Sequence, residues 1–302
     1  MTRSTLEATS AFYSSQGGAL MQFSRWGLRA AQQWWPALAV RAAARLFGTP
    51  LPPRWLTRRR VWGAPWQITR WAFEDASLTL YQHDDPSTSA TGGPIALLVH
   101  GWGGHAGQMV ALATALQQQG VRTVILEMPA HGRNDGAVSN LPQFARAMDY
   151  ACARLAQEGT PVETVIAHSL GANAAAYALS RGALARRLVL LAPPASPLEY
   201  TRLFARVFGL SEATRLAMQR RVEAREAVLM PQFEPPSVGP RVNVPTLVVH
   251  DRGDSVNPFE DGQAYQRHIA GSQLIATEGL GHRHLLKDAA VLQAVTAFVT
   301  RT

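Results

Sequence analysis

After residue 94 the chain alternates between short apolar runs and longer segments with helical spacing. The runs cover 95–100, 122–127, 163–167, 187–192, 245–250 and 273–277. Each is too short for a helix and reads as a strand, with 245–250 a buried one. Between them, 107–119, 141–157 and 171–181 carry apolar residues at three- and four-residue spacing and predict helices. Strands alternating with helices imply a parallel sheet with helices on both faces. Upstream, 61–72 and 77–82 alternate apolar and polar positions and predict two antiparallel strands, followed by a polar loop over 84–93. From 194 to 240 no strand signal occurs. Leu198, Leu203, Phe204, Val207, Phe208, Leu210, Leu216 and Met218 recur there at roughly helical spacing, and Pro235-Pro236 closes the segment. The division that follows is an extension over 1–60, a core over 61–193 and 241–302, and a helical insertion over 194–240.

The turns after these strands carry the chemistry. The third strand runs into Ala167-His168-Ser169-Leu170-Gly171, and an alanine-rich helix begins at once. A serine on so tight a strand-to-helix turn has its hydroxyl lifted clear of the sheet, and the turn needs small neighbours on both sides. A serine needs a base, and the base an orienting acid. Downstream, His250-Asp251-Arg252-Gly253-Asp254 and Glu278-Gly279-Leu280-Gly281-His282 each lie just past a strand end, in the order Ser, Asp, His. Ligands of open parallel sheets bind at that edge. A developing oxyanion needs two backbone N–H donors. Leu170, after the serine, offers one, and Trp102 in the Gly101-Trp102-Gly103-Gly104 loop offers the other.

Taken together, these segments resemble the α/β-hydrolase superfamily from about Pro94 to the C-terminus. The similarity is closest to bacterial hydrolases with an H-G-W-G-G loop (100–104), a P-A-H-G turn (129–132), an A-H-S-L-G elbow (167–171), an H-D-R-x-D loop (250–254) and a G-L-G-H ending (279–282). The resemblance implies an α/β-hydrolase fold: a mostly parallel central sheet, helices on both faces and a helical lid insertion. It implies a Ser169, Asp254, His282 triad, acyl-transfer chemistry and no particular substrate. Asp251 competes with Asp254 for the acid role and Glu199 is a distant third, whereas His284 competes with His282. The family pattern favours Asp254 and His282, leaving Asp251 to cap its turn. On the substrate side, Gly101 and His168 flank the reacting atoms, and the insertion's Phe204 and Phe208 are candidates to line an acyl site.

The remaining histidines read as structural. His100 and His131 fit loop organisers working through their ring nitrogens, and His105 fits a ligand contact or the start of the following helix. The nine histidines are scattered and there is one cysteine, so neither a metal nor a cofactor is expected. Cys152 shares a helical stripe with Met148 and Leu155 and reads as a buried thiol.

Composition changes the picture at one place. The chain has 302 residues, 47% of them hydrophobic, as a single α/β domain with one large core would have. Its net charge of +8 resides wholly in residues 1–60, where nine arginines face one acid, Glu7; the remainder has 20 basic and 20 acidic residues. Phe23, Trp26, Trp34, Trp35 and Phe47 are interleaved with those arginines, and Pro36 interrupts any long helix. Three readings are open for this extension: helices packed on the body, contact with an anionic membrane surface, or a targeting sequence. Arg25 and Arg29 break the apolar stretch a secretory signal needs. No nucleic-acid-binding module is recognisable, and no apolar run is long enough to span a bilayer. The expected location is cytoplasmic, with peripheral contact at the inner face of a membrane as the alternative.

The expected function is hydrolysis of a carboxylic ester or thioester, with an apolar acyl part, on a small-molecule substrate. An acyltransferase, a small-peptide peptidase and a non-catalytic ligand-binding relative are the alternatives. A peptidase would call for an acidic rim to hold a peptide's amino terminus.

Overall fold

Eight strands form one sheet in the order β1-β2-β4-β3-β5-β6-β7-β8. The structure is a computed structural model and describes residues 18–51, 66–83, 95–182 and 185–301. The strands are β1 (Trp66–Phe73), β2 (Ala76–His83), β3 (Ile95–Val99), β4 (Arg122–Glu127), β5 (Val162–His168), β6 (Arg187–Leu191), β7 (Thr246–Asp251) and β8 (Gln273–Thr277). β1 and β2 form an antiparallel hairpin, and β2 also pairs antiparallel with β4. All other pairings are parallel. The start of the expected first strand, 61–65, and the loop 84–93 lie outside the described residues.

The apolar runs are explained by burial on both faces. Leu97 and Val99 of β3, Val165 of β5 and Leu190 of β6 belong to one core. Their neighbours Leu98, Ile166 and Val189 belong to the other. A strand with period-two side chains and two covered faces has no polar position to offer. The first core is closed by α4 (Leu141–Gln157) and α5 (Leu170–Ser180), the second by α3 (Val110–Gln117) and α11 (Ala289–Thr300). Asn140 caps α4 by accepting from the Gln143 N–H at 2.8 Å, and Pro142 occupies its first turn. Cys152 is buried on α4, as its stripe implied, and burial pushes its thiol up to about 12.

Strand order reverses around β3, which lies between β4 and β5. The loops after β3 and β5 therefore leave the same edge side by side, at the crevice where open α/β sheets bind ligands.

Between β6 and β7 the chain forms α6 (Pro197–Phe208), α7 (Glu212–Glu226), a 3-10 turn (Met230–Phe233) and the short α8 (Pro235–Val238). Ser211 caps α7, accepting from the Thr214 N–H at 3.2 Å. The N-terminal extension supplies α1 (Gly18–Trp34) and α2 (Pro36–Phe47), broken where Pro36 occupies the first turn of α2. Both helices pack on the insertion. Leu28 and Ala43 join Phe204, Phe208 and Met218 in a separate small core. The Gln32 side chain bridges to the α6–α7 junction, donating to Gly209 O at 3.2 Å and accepting from Ser211 N–H at 2.7 Å. Of the three readings of the extension, residues 18–51 show the contacts of helices packed on the insertion. Arg3, Glu7, Arg54 and Arg58–Arg60 lie outside the described residues. No described helix is long and apolar enough to cross a membrane.

Candidate active site

The site begins with the turn after β5. Ser169 has φ +54 and ψ −126, a conformation that a side chain other than glycine adopts at a cost of about 1–3 kcal/mol. Two backbone contacts hold it there: Ser169 N–H donates to Leu191 O at 2.9 Å, and Ser169 O accepts from Ala172 N–H at 2.8 Å. The small neighbours are required by close approach. A Cβ on Gly171 would lie 2.5 Å from His100 O, and one on Gly101 would lie 2.7 Å from Ser169 Cβ.

Two further strand ends complete a hydrogen-bonded relay. After β8, the four-residue helix α10 (Gly281–His284) carries His282, whose Nε2 lies 3.0 Å from Ser169 Oγ. After β7, Asp254 Oδ2 lies 2.7 Å from His282 Nδ1. The other carboxylate oxygen accepts from Val256 N–H at 2.8 Å and Asn257 N–H at 3.0 Å. Burial pushes the Asp254 carboxyl up, but hydrogen bonds from His250, His282 and the Asn257 N–H outweigh it and hold the group well below the usual carboxylate range. A fixed carboxylate on Nδ1 leaves Nε2 free to accept the serine proton.

The competing residues lie elsewhere. Asp251 accepts from Gly253 N–H at 2.9 Å, Thr277 Oγ1 at 2.8 Å and Leu280 N–H at 3.0 Å, so it ties the β7 and β8 loops together as a turn cap. Glu199 pairs with exposed Arg202 one turn along α6. His284 lines the same cavity but stands outside the relay.

The loop after β3 is held by two neutral histidines. His100 Nε2 accepts from Met128 N–H at 3.1 Å while Nδ1 faces Gly101 O at 2.7 Å. His131 Nε2 accepts from Gly103 N–H at 3.0 Å while Nδ1 faces Pro129 O at 2.8 Å. An acceptor nitrogen on each ring requires the neutral form. Burial holds His100 down to about 4 and, with repulsion from His100, His131 down to about 3. Both residues serve the loop, as the sequence suggested. His105 opens the short 3-10 turn at Ala106–Gln108. The Trp102 and Leu170 N–H groups, next to this loop and the serine turn, donate to no acceptor among the described residues, and Leu170 is the first residue of α5. Two unspent donors beside a nucleophile position are what an oxyanion needs.

A cavity of about 500 Å³ opens onto Ser169. Gly101 and His168 line it. His168 also braces the base: its Nε2 lies 2.9 Å from His282 O, and the two rings are 4.7 Å apart. Burial, reinforced by repulsion from His282, holds His168 down to about 3.

Phe204 and Phe208 require a correction. Neither lines the cavity at Ser169; they stack 4.5 Å apart in the small core under α1 and α2, with Phe204 edge-on to Phe47 at 5.3 Å. The insertion meets two neighbours, and periodicity does not say which one an apolar position faces. Tyr200 and Leu203 of α6 reach the cavity instead, as do Met230 and Phe233. Phe47 lines it too, a contribution from the extension that sequence reasoning missed. Glu127 was also missed. It is buried at the end of β4 and accepts from Tyr81 Oη at 2.9 Å, Arg133 N–H at 2.9 Å and Ala106 N–H at 3.2 Å. An acid directly after the apolar run Val124-Ile125-Leu126 was the available signal. Among the described residues no cluster of three or more His, Cys, Asp or Glu is arranged to hold a metal.

The reversed strand order, the strained serine turn and the Ser–His–Asp relay come together at the C-terminal edge of the parallel strands. The chain belongs to the alpha/beta hydrolase family, whose model matches residues 96–294. Solved structures share the fold. A hydrolase from Pseudomonas aeruginosa PA01 is 20% identical with a TM-score of 0.60, over 79% of this chain and 100% of that one. An esterase from Pyrococcus furiosus is 18% identical with a TM-score of 0.59, over 80% and 96%. Est1E from Butyrivibrio proteoclasticus is 21% identical with a TM-score of 0.59, over 77% and 97%. No curated protein sequence matches the chain.

Proposed function

We propose that the protein is a serine hydrolase that cleaves a carboxylic ester or thioester with an apolar acyl part. One observation carries the reading: His282 stands 3.0 Å from Ser169 Oγ and 2.7 Å from a buried, ionised Asp254. Ser169 Oγ attacks the carbonyl carbon as its proton passes to His282 Nε2. Asp254 holds the tautomer and stabilises the imidazolium. The carbonyl oxygen, now anionic, takes the Trp102 and Leu170 N–H bonds. His282 then delivers the proton to the departing alcohol or thiol, leaving an acyl-serine. Water, deprotonated by His282, attacks that ester, and the acid departs as Ser169 regains its proton.

The cavity wall supports an apolar acyl group, with Phe47, Leu141, Leu203, Val222, Met230 and Phe233 on it. Among the described residues two carboxylates, Glu223 and Glu226, also line it and could meet a peptide amino terminus. Both are engaged. Glu226 pairs with Arg146 at 3.0 Å and accepts from Asn140 at 2.8 Å. Glu223 accepts from Met230 N–H and Gln219, each at 3.0 Å. This favours an ester over a peptide.

The test is hydrolysis of a nitrophenyl ester series from acetyl to long acyl chains. We expect activity peaking at medium or long chains. Ser169→Ala should abolish it, and Asp254→Asn should lower kcat about 10⁴-fold by misplacing the proton. A Ser169→Ala protein that turns over its substrate at the wild-type rate sinks the reading.

A further inference from the structure

Among the described residues the outer face of α1 and α2 has no partner. Among the described residues seven large apolar side chains are exposed, and five of them, Phe23, Trp26, Trp34, Trp35 and Leu38, lie within this hairpin at 56–70% exposure. Phe23, Trp26 and Trp34 share one stripe of α1, opposite buried Leu28 and the Gln32 that ties the helix to the insertion. Trp34, Trp35 and Leu38 form the apex where Pro36 breaks the helix, and every residue from 33 to 38 is exposed. Packing on the insertion uses the inner face only, through Leu28, Ala39 and Ala43. Folding therefore does not account for five large apolar groups on the outside, and a patch of this kind marks an interaction surface.

The charge of the same segment selects the partner. Residues 18–51 contain four arginines and no acid. Arg41 and Arg45 follow Leu38 at i+3 and i+7, so they lie on the same face of α2 as Leu38, and both are exposed. A helical hairpin that exposes both tryptophans and arginines suits the boundary between lipid headgroups and acyl chains. The position is also apt. α2 ends at Phe47 on the cavity wall, and the next residue, Gly48, accepts from Ser139 N–H at 2.7 Å, Ser139 being a further cavity residue.

We propose that this face docks the protein on an anionic lipid bilayer. Phe23, Trp26, Trp34, Trp35 and Leu38 enter the headgroup–acyl boundary, and Arg41 and Arg45 pair with lipid phosphates. Docking brings the α2 side of the cavity to the bilayer, where acyl esters are concentrated.

The test is co-sedimentation of the full chain with vesicles of phosphatidylcholine mixed with phosphatidylglycerol, against phosphatidylcholine alone. Binding is expected on the mixed vesicles, weakened by salt and by removal of the anionic lipid. Trp34→Ser with Trp35→Ser should abolish it, and Arg41→Gln with Arg45→Gln should weaken it about fivefold per arginine. These side chains are exposed, so both variants should keep the wild-type melting temperature and phosphonate labelling of Ser169. Ser169→Ala should bind vesicles like the wild type, which separates failure of docking from failure of the hydrolase reading. The proposal is overturned if the wild type stays in the supernatant, or if the tryptophan variant sediments as well as the wild type. It falls equally if ultracentrifugation shows a concentration-dependent dimer that the tryptophan variant loses, since the face then belongs to a second copy.

Discussion

Gly101→Ala puts the site geometry under direct strain. The added methyl carbon would lie 2.7 Å from Ser169 Cβ, 3.1 Å from His168 O and 3.3 Å from Ser169 Oγ. Carbon atoms rest at about 3.5–4.0 Å, so roughly 1 Å must be found somewhere. Ser169 cannot yield it cheaply, because its strained φ of +54 is pinned by hydrogen bonds at 2.9 and 2.8 Å to Leu191 and Ala172. If the serine moves, the nucleophile is displaced; if the loop moves, the Trp102 donor is displaced. A 1 Å error at a reacting group costs about 10²-fold in rate, and overpacking of this kind costs about 1–3 kcal/mol in stability. The assay is kcat/KM on a nitrophenyl ester together with denaturant unfolding. Gly27→Ala is the control: its methyl would meet nothing within 4 Å, and it sits within α1. A Gly101→Ala enzyme within threefold of wild-type kcat/KM would refute the reasoning.

Two further outcomes follow from the same structure. His100, His131 and His168 have folded values of about 4, 3 and 3, below their ordinary 6.5, so the fold favours their neutral forms. Their stabilising contribution is complete above pH 6.5 and is lost as pH falls toward 4 and 3, each group supplying up to about 1.4 kcal/mol per pH unit. Urea midpoints should therefore drop steeply between pH 6.5 and 4, and a flat profile there would count against three buried neutral imidazoles. Phe204→Ala should cost about 3–5 kcal/mol in stability without altering acyl-chain preference, whereas Phe47→Ala should shift that preference; the ester series distinguishes the two, and a shift from Phe204→Ala would restore it to the acyl site.

The central strands were legible because they are buried on both faces: every residue of β3 and β7 is buried, and 122–127 matches β4 at both ends. The edge strand β8 is partly exposed, and 273–277 was legible from its length and its place after the 245–250 strand. The residues of the Ser169–His282–Asp254 relay were legible for another local reason. A serine turn that tolerates no bulk at Gly171, and acids and histidines just past strand ends, are constraints of backbone geometry that show as short motifs. Choosing Asp254 over Asp251 leaned on the family pattern; in the structure Asp254 is the carboxylate that meets His282, whereas Asp251 accepts from three turn donors.

What the sequence by itself determined was the strands, the three helices over 107–119, 141–157 and 171–181, the apolar spacing of the insertion, and the residues at the sheet's C-terminal edge. It left open which stripe meets which neighbour. α6 has an apolar face wide enough for both the cavity and the extension, and only the packed arrangement sends Leu203 to the first and Phe204 to the second. On α1, Leu28 and Trp26 are equally apolar in the chain, yet one is buried and the other is 69% exposed. Periodicity is a property of one helix, but burial is a relation between two surfaces brought together from distant parts of the chain, and that relation exists only in the tertiary structure.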